Sequence, residues 1–144
     1  ITLNEIPDSI KELADFKLVN VPARISPVSA LLNLVFSKKP YNAVRFISGT
    51  FANELRKILQ ANSFDIIQLE GLYVCPYIPM IRKYSQAKIV YRAHNIEHEI
   101  WSRTAVMAKG IEKWYLKILA KRIKIFEIIF ITILKIGQKT PIPV

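Results

Sequence analysis

Two short apolar segments, separated by one helical repeat, dominate the hydrophobic pattern of this chain. Residues Asp65–Leu69 and Lys88–Ala93 are rich in β-branched side chains, which favour strands. Between them, Tyr73–Tyr84 carries apolar residues at helical spacing. Two strands joined through one helix are almost always parallel, with a right-handed crossover. The pattern therefore predicts an α/β fold with a mostly parallel sheet.

The rest of the chain predicts further helices and one more strand. The expected elements are a short helix at Ser9–Ala14, a strand at Phe16–Val21, helices from Ser26-Pro27, at Thr50–Leu59 and from Ile96 to Arg103, and a long helix at Ile111–Phe126. Ile128–Leu134 has the composition of a strand although it directly follows a helix. We expect one domain over residues 1–134 and a disordered tail over residues 135–144.

Polar residues follow both strands of the predicted unit. Glu70-Gly71 closes the first strand, and Arg92 and His94-Asn95 end the second. Open α/β sheets bind ligands at the carboxyl ends of their strands, and neighbouring strands lie about 4.8 Å apart. We therefore expect Glu70 and His94 to flank one crevice.

Each of these residues also has a simpler explanation. Glu70 could merely close its strand, and His94 could bond to nearby backbone. Arg92 needs either a salt bridge or a phosphate contact if its strand is buried.

Residues 94–98 (HNIEH) match H-x-x-E-H, a zinc-peptidase pattern. That chemistry requires both histidines on one helix face, with Glu97 activating a zinc-bound water. Because the preceding residues predict a strand, we expect His94 at a strand end, His98 in a structural or solvent-facing position, and no metal site.

The charge of the chain points to anionic partners. The net charge is +10, from 21 Lys and Arg residues against 11 Asp and Glu residues. Five lysines recur at helical spacing: Lys109, Lys113, Lys117, Lys121 and Lys124. This stripe could be a solvated face, or it could rest on anionic lipid and bury Trp114 or Tyr115 at the interface. Aromatic residues do not interleave with it as on single-strand nucleic-acid platforms, so we expect no nucleic-acid partner.

The lone Cys75 excludes a disulfide within the chain. It favours a reducing compartment, and the simplest role for this side chain is a small core residue.

Three segments together resemble the N-terminal domain of family 4 glycosyltransferases with the two-domain GT-B fold. They are FDIIQLEGLY, PYIPMIRKYSQAKIVYRAHNIEHEIWSR and KGIEKWYLKILAKRIKIFE, and SKKPYNAVRF upstream fits the same pattern. The resemblance covers residues 34–127. It implies a Rossmann-like parallel sheet with flanking helices, and retaining transfer of a sugar from a nucleotide-sugar donor to a glycan or lipid-linked acceptor. It also implies that the enzyme uses no metal or cofactor, and that it is a cytoplasmic protein, often bound peripherally to the inner membrane.

The resemblance assigns roles to particular residues. His94 matches the family histidine near the transferred sugar, which implies a catalytic role in orienting sugar or acceptor. Glu70 and Gly71 match the loop beside it, which implies acceptor-side contacts, and we add Arg92 and Asn95 as substrate-binding candidates. The family's first strand and Gly-rich loop, and its C-terminal domain with paired glutamates, have no counterpart here. We therefore interpret the chain as a partial acceptor-side domain that is inactive alone. The alternatives are a basic membrane- or nucleic-acid-binding module without catalysis, or the zinc peptidase.

Overall fold

The computed structural model describes residues 6–137, which form helices around a small parallel sheet. The helices are α1 (Asp8–Lys11), α2 (Pro27–Phe36), α3 (Tyr41–Val44), α4 (Gly49–Ala61), α5 (Ile78–Tyr84), α6 (Glu97–Met107) and α7 (Gly110–Gly137). The strands are β1 (Ile66–Glu70) and β2 (Lys88–Arg92), and a 3₁₀ helix at Leu72–Tyr77 leads from β1 into α5. The chain is therefore a mixed α/β structure.

The two strands are parallel neighbours, which confirms the prediction from their order. Their register runs from Ile66 opposite Lys88 to Glu70 opposite Arg92, and no third strand joins them within residues 6–137. Alternation along each strand divides the sheet into two faces. Leu69 and Ile89 are buried on the inner face, whereas Ile66 is 60% exposed on the outer face. The helices thus cover one face of this sheet and leave the other open.

Serine side chains cap the starts of two helices, at Ser26 as the sequence predicts and at Ser48, which was not predicted. The Ser29 amide donates to Ser26 Oγ at 3.2 Å, and Pro27 occupies the first turn of α2. The Phe51 amide donates to Ser48 Oγ at 3.3 Å at the start of α4. Each hydroxyl satisfies an amide that has no partner inside its own helix. The helix start expected at Ser26-Pro27 is therefore confirmed.

The core lies between the inner face of the sheet and α5, α6 and α7. Apart from alanines, six side chains in this core are at most 2% exposed: Leu72, Cys75, Ile78, Ile81, Ile89 and Ile123. The free Cys75 is fully buried, so the interpretation of this residue as a core side chain is confirmed. Helices α6 and α7 pack against each other, and α6 follows the end of β2.

The strand expected at Phe16–Val21 is wrong. These residues have no helical or strand structure, and Phe16 and Leu18 are exposed. A strand needs a neighbour for its backbone groups, and neither β1 nor β2 provides one here. Apolar composition alone therefore did not decide this segment.

The segment Ile128–Leu134 is helical despite its strand-like composition. It continues α7, in which Phe130, Ile133 and Leu134 all pack against the core, a spacing that one side of a helix accommodates and one face of a strand does not. The helix extends to Gly137, into the segment expected as a tail. The rest of that expected tail, residues 138–144, lies outside the described residues.

Candidate site at the carboxyl edge of the sheet

Glu70, the last residue of β1, is the centre of the candidate site. One carboxylate oxygen lies 2.7 Å from His94 Nε2, and the other accepts a hydrogen bond from Gln68 Nε2. An Arg92 guanidinium nitrogen lies 3.8 Å from the carboxylate. The side chains predicted to flank one crevice are thus in direct contact, since parallel pairing places both strand ends on the same edge of the sheet.

The turn after Glu70 depends on the backbone of Gly71. Its φ is 88° and its ψ is 167°, a conformation that is essentially restricted to glycine. The Gly71 amide donates to the Arg92 carbonyl at 3.0 Å, which extends the pairing of the strands by one residue. This turn sends the chain into the 3₁₀ helix while Glu70 stays at the sheet edge.

The surroundings of Glu70 favour its ionised form. The hydrogen bond from Gln68 is the largest influence that lowers the pKa of Glu70, and Arg92 and His94 lower it further, against the opposing effect of burial. The side chains remain accessible, with exposed fractions of 44% for Glu70, 65% for Arg92 and 53% for His94. The site is therefore an open, hydrogen-bonded anionic centre with a cation beside it.

Asn95 precedes α6 but does not cap it. The helix begins at Glu97, and its cap position is Ile96, whose side chain accepts no cap hydrogen bond. The acceptor comes from α7 instead, since the Glu97 amide donates to Glu127 Oε1 at 2.8 Å. Asn95 is exposed on the connection between β2 and α6.

The three residues of the H-x-x-E-H pattern have separate partners. His94 lies before α6 and contacts Glu70, whereas His98 Nδ1 contacts Glu127. Glu97 accepts a hydrogen bond from the Tyr73 hydroxyl at 2.9 Å. The peptidase chemistry needs both histidines on one helix face, an arrangement that these positions do not provide. Within residues 6–137, no three His, Cys, Asp or Glu side chains are grouped to hold a metal ion.

Sequence reasoning missed Gln68, Tyr73 and Glu127. Gln68 could have been found, because residues two apart on a strand share one face and Glu70 was already a candidate. Glu127 had a weaker signal, namely a carboxylate among the apolar core positions of a long helix. Tyr73 had none, since its bond to Glu97 joins residues 24 positions apart.

The predicted lysine stripe lies along one side of α7. Lys109 immediately precedes the helix, and Lys113, Lys117, Lys121 and Lys124 follow at intervals of three and four residues. Helical spacing places a second, apolar row beside these lysines, and three of its exposed members are Ile111, Trp114 and Ile125. Trp114 is 56% exposed. The structure therefore adds an uncovered apolar row that the charge pattern alone did not predict.

Helix α2 lies next to this part of α7. The Arg122 guanidinium donates to the Leu34 carbonyl at 2.8 Å and to the Asn33 carbonyl at 3.3 Å, where α2 ends. None of the ten residues of α2 is buried, although most are apolar. We call the exposed row of α7 together with α2 the apolar surface; its exposed members are Val28, Leu31, Leu32, Val35, Phe36, Ile111, Trp114, Ile125 and Ile129.

Comparisons with protein-family models, with curated proteins and with solved structures found no match to this chain. Among the helices of residues 6–137, none combines the length and the apolar content needed to cross a membrane.

Proposed function

We propose that this chain is the acceptor-side, Rossmann-like domain of a retaining family 4 glycosyltransferase with the GT-B fold. The observation that carries the proposal is the contact between Glu70 and His94 at the carboxyl edge of two parallel strands. Open parallel sheets bind ligands at that edge. The sequence resemblance supports the same assignment, because the same two residues match the family's sugar- and acceptor-side positions.

In this proposal, Glu70 orients the imidazole of His94. Because Nε2 faces the carboxylate, Nδ1 is the ring nitrogen left to contact a sugar hydroxyl. Arg92 is held weakly, at 3.8 Å and largely exposed, since surface ion pairs are typically worth only about 0–1 kcal/mol. Its guanidinium can therefore turn to a donor phosphate, and Gly71 leaves space for the acceptor to approach the backbone.

The transferred sugar comes from a nucleotide-sugar donor bound mainly by a second domain, and it is added to a glycan or lipid-linked acceptor of the cell surface. Retaining transfer of this kind needs little acid–base chemistry from the protein, because the departing phosphate can assist the acceptor hydroxyl. Orientation and charge stabilisation by His94, Glu70 and Arg92 then supply most of the rate enhancement.

The test is transfer by the two-domain enzyme that carries this chain, measured with labelled nucleotide-sugars and membrane lipid extract. His94→Ala should lower turnover about 10²- to 10³-fold, the usual cost of one preorganised hydrogen-bonding group. Its effect on the free energy of unfolding should stay within about 0.5 kcal/mol, as for other exposed residues. The matched control is Glu99→Ala, an exposed residue in the first turn of α6.

Full activity of the His94→Ala enzyme would reduce that residue to a structural role. Transfer by the present chain alone would contradict the two-domain proposal, because the chain would then need no donor-binding partner.

A second proposal, peripheral contact with an anionic membrane, is favoured by the lysine stripe beside the apolar surface. Exposed apolar side chains enter the headgroup region, while the lysines approach anionic lipid. Membrane contact is compatible with a glycosyltransferase, because it would bring the domain to a lipid-linked acceptor. It is equally compatible with a binding module without catalysis, of which it would be the activity.

Vesicle binding tests this second proposal. On a Trp101→Phe background, the emission of Trp114 should shift to the blue with anionic vesicles and return when salt screens the charges over about 10 Å at 0.1 M. Replacing Lys117 and Lys121 by Glu should weaken binding at least about 30-fold, because each basic residue near such a surface is worth about 1 kcal/mol. Lys83→Glu on α5 is the control. Preference for nucleic acid over vesicles at matched salt would favour the nucleic-acid alternative instead.

A further inference from the structure

Helix α6 obtains its N-terminal cap from a distant helix. Its own cap position is the apolar Ile96, which has no oxygen in its side chain to accept a hydrogen bond. Glu127 of α7 supplies that oxygen, at 2.8 Å from the Glu97 amide and 30 residues away in sequence. The start of α6 is thus fixed by tertiary structure instead of by its own sequence.

Both carboxylate oxygens of Glu127 are engaged. Oε1 accepts from the Glu97 amide, and Oε2 contacts His98 Nδ1. The Glu127 side chain is only 9% exposed, and an ionised carboxylate in such a place must be compensated by hydrogen bonds or opposite charge. Both of these contacts come from the first turn of α6, whose helix dipole also favours a negative charge.

Glu97 also links α6 to the segment that follows β1. Its side chain accepts from the Tyr73 hydroxyl at 2.9 Å, and the Tyr73 ring stacks on Phe46 with 5.0 Å between ring centroids. Burial raises the pKa of Tyr73, and its bond to Glu97 raises it further, so the hydroxyl remains a donor at neutral pH. Tyr73 follows β1 and Glu97 follows β2, so this pair joins the two connections that leave the sheet edge.

We infer that Glu127 is a positioning residue that, through Glu97 and Tyr73, sets the separation between Glu70 and His94. Tyr73 lies three residues after Glu70, and Glu97 lies three residues after His94. The two site residues are therefore each joined by a three-residue segment to one hydrogen bond, and Glu127 anchors that bond to α7. This inference rests on the proposed function in one respect, namely that Glu70 and His94 form the substrate site.

The inference is tested by NMR on the isotope-labelled chain, with Glu127→Ala, Glu127→Gln and Tyr73→Phe. Loss of the cap in Glu127→Ala should speed amide exchange in the first turn of α6 about 2- to 30-fold. It should also shift the ring signals of His94, although Glu127 does not contact that residue. Glu127→Gln keeps an oxygen for the Glu97 amide, so its amide exchange rates in α6 and its His94 ring signals should both lie close to those of the wild type. Glu112→Ala, an exposed carboxylate on the same helix, is the control and should change neither.

A folded Glu127→Ala chain with the His94 ring signals of the wild type would overturn the inference. If Glu127→Ala does not fold, Tyr73→Phe decides, because it removes the hydroxyl that donates to Glu97 and keeps the stacked ring. Unchanged His94 signals in that variant would overturn the inference as well. These measurements need no donor sugar, so a lack of transfer in the wild-type enzyme would count against the proposed function and not against the positioning role.

Discussion

Replacing Gly71 by alanine isolates the contribution of backbone conformation at the candidate site. An added Cβ would meet no atom within 4 Å, so the substitution causes no steric clash. The cost comes instead from φ of 88° and ψ of 167°, a region that is unfavourable for residues with a Cβ. Holding a residue in such a region typically costs about 1–3 kcal/mol, and we expect Gly71→Ala to lower the free energy of unfolding by that amount.

Gly49→Ala is the matched control. Gly49 begins α4, and an added Cβ there also meets nothing within 4 Å. Because its φ is not positive, alanine should be neutral or should stabilise the chain by up to about 1 kcal/mol. The two substitutions add the same methyl group in open space, so a loss of stability in Gly71→Ala but not in Gly49→Ala reports the backbone conformation at residue 71 and not a steric clash.

Urea denaturation followed by circular dichroism measures both variants, with the free energy of unfolding obtained by linear extrapolation. We expect the Gly71→Ala midpoint to fall and the slope to stay constant. In the same variant, exchange of the residue 71 amide, which donates to the Arg92 carbonyl at 3.0 Å, should become faster. Equal stability of Gly71→Ala and Gly49→Ala would refute the argument that this turn requires a glycine conformation.

Three other predictions concern the core. Tyr77→Phe should cost about 1–3 kcal/mol in a thermal or urea titration, because it leaves the Ser48 amide, at 2.7 Å, and the Phe46 carbonyl, at 3.0 Å, without their hydroxyl partner. Ile123→Ala should cost about 2–5 kcal/mol by the same assay, since the side chain is fully buried. Burial raises the pKa of Cys75 to about 12, so the folded chain holds this proton more tightly than the unfolded chain does. The contribution of the Cys75 thiol to stability should be complete below the ordinary thiol pKa and should decline as pH rises towards 12. The free energy of unfolding of Cys75→Ala should decline less over the same pH range. At pH 8, the thiol of the wild-type chain should react with a disulfide reagent only after urea is added.

The parallel unit could be predicted from the sequence because its information is local. The two β-branched runs and the intervening helical repeat fix the order of β1 and β2, and their ends place Glu70 and His94 on one edge. Phe16–Val21 has the same local composition but no neighbouring strand, so composition misled the prediction there. The cap from Glu127 joins residues 30 positions apart and depends on how α7 packs, which no local pattern encodes.

The conformation of Ile128–Leu134 is decided by its helical periodicity and not by its β-propensity. Isoleucine disfavours helices by only a few tenths of a kcal/mol, whereas burying one large apolar side chain contributes about 1.5–3 kcal/mol. Phe130, Ile133 and Leu134 all pack against the core. A helix places these three positions on one side, whereas a strand would turn the adjacent Ile133 and Leu134 to opposite faces. The β-propensity of this segment is therefore outweighed by the packing of α7 against the core.

The small sheet also determines how ligands of this chain could be detected. A pair of short strands has little stability of its own, so the edge that carries Glu70 and His94 exists only while the helices hold the inner face. Binding at this edge is consequently linked to unfolding of the whole chain, and a ligand at 100 times its dissociation constant should add about 2.7 kcal/mol to the unfolding free energy. A melting-temperature screen of nucleotide-sugars, glycans and lipid headgroups thus detects binding to the folded chain even where no turnover takes place, and loss of the shift in His94→Ala assigns the ligand to this edge.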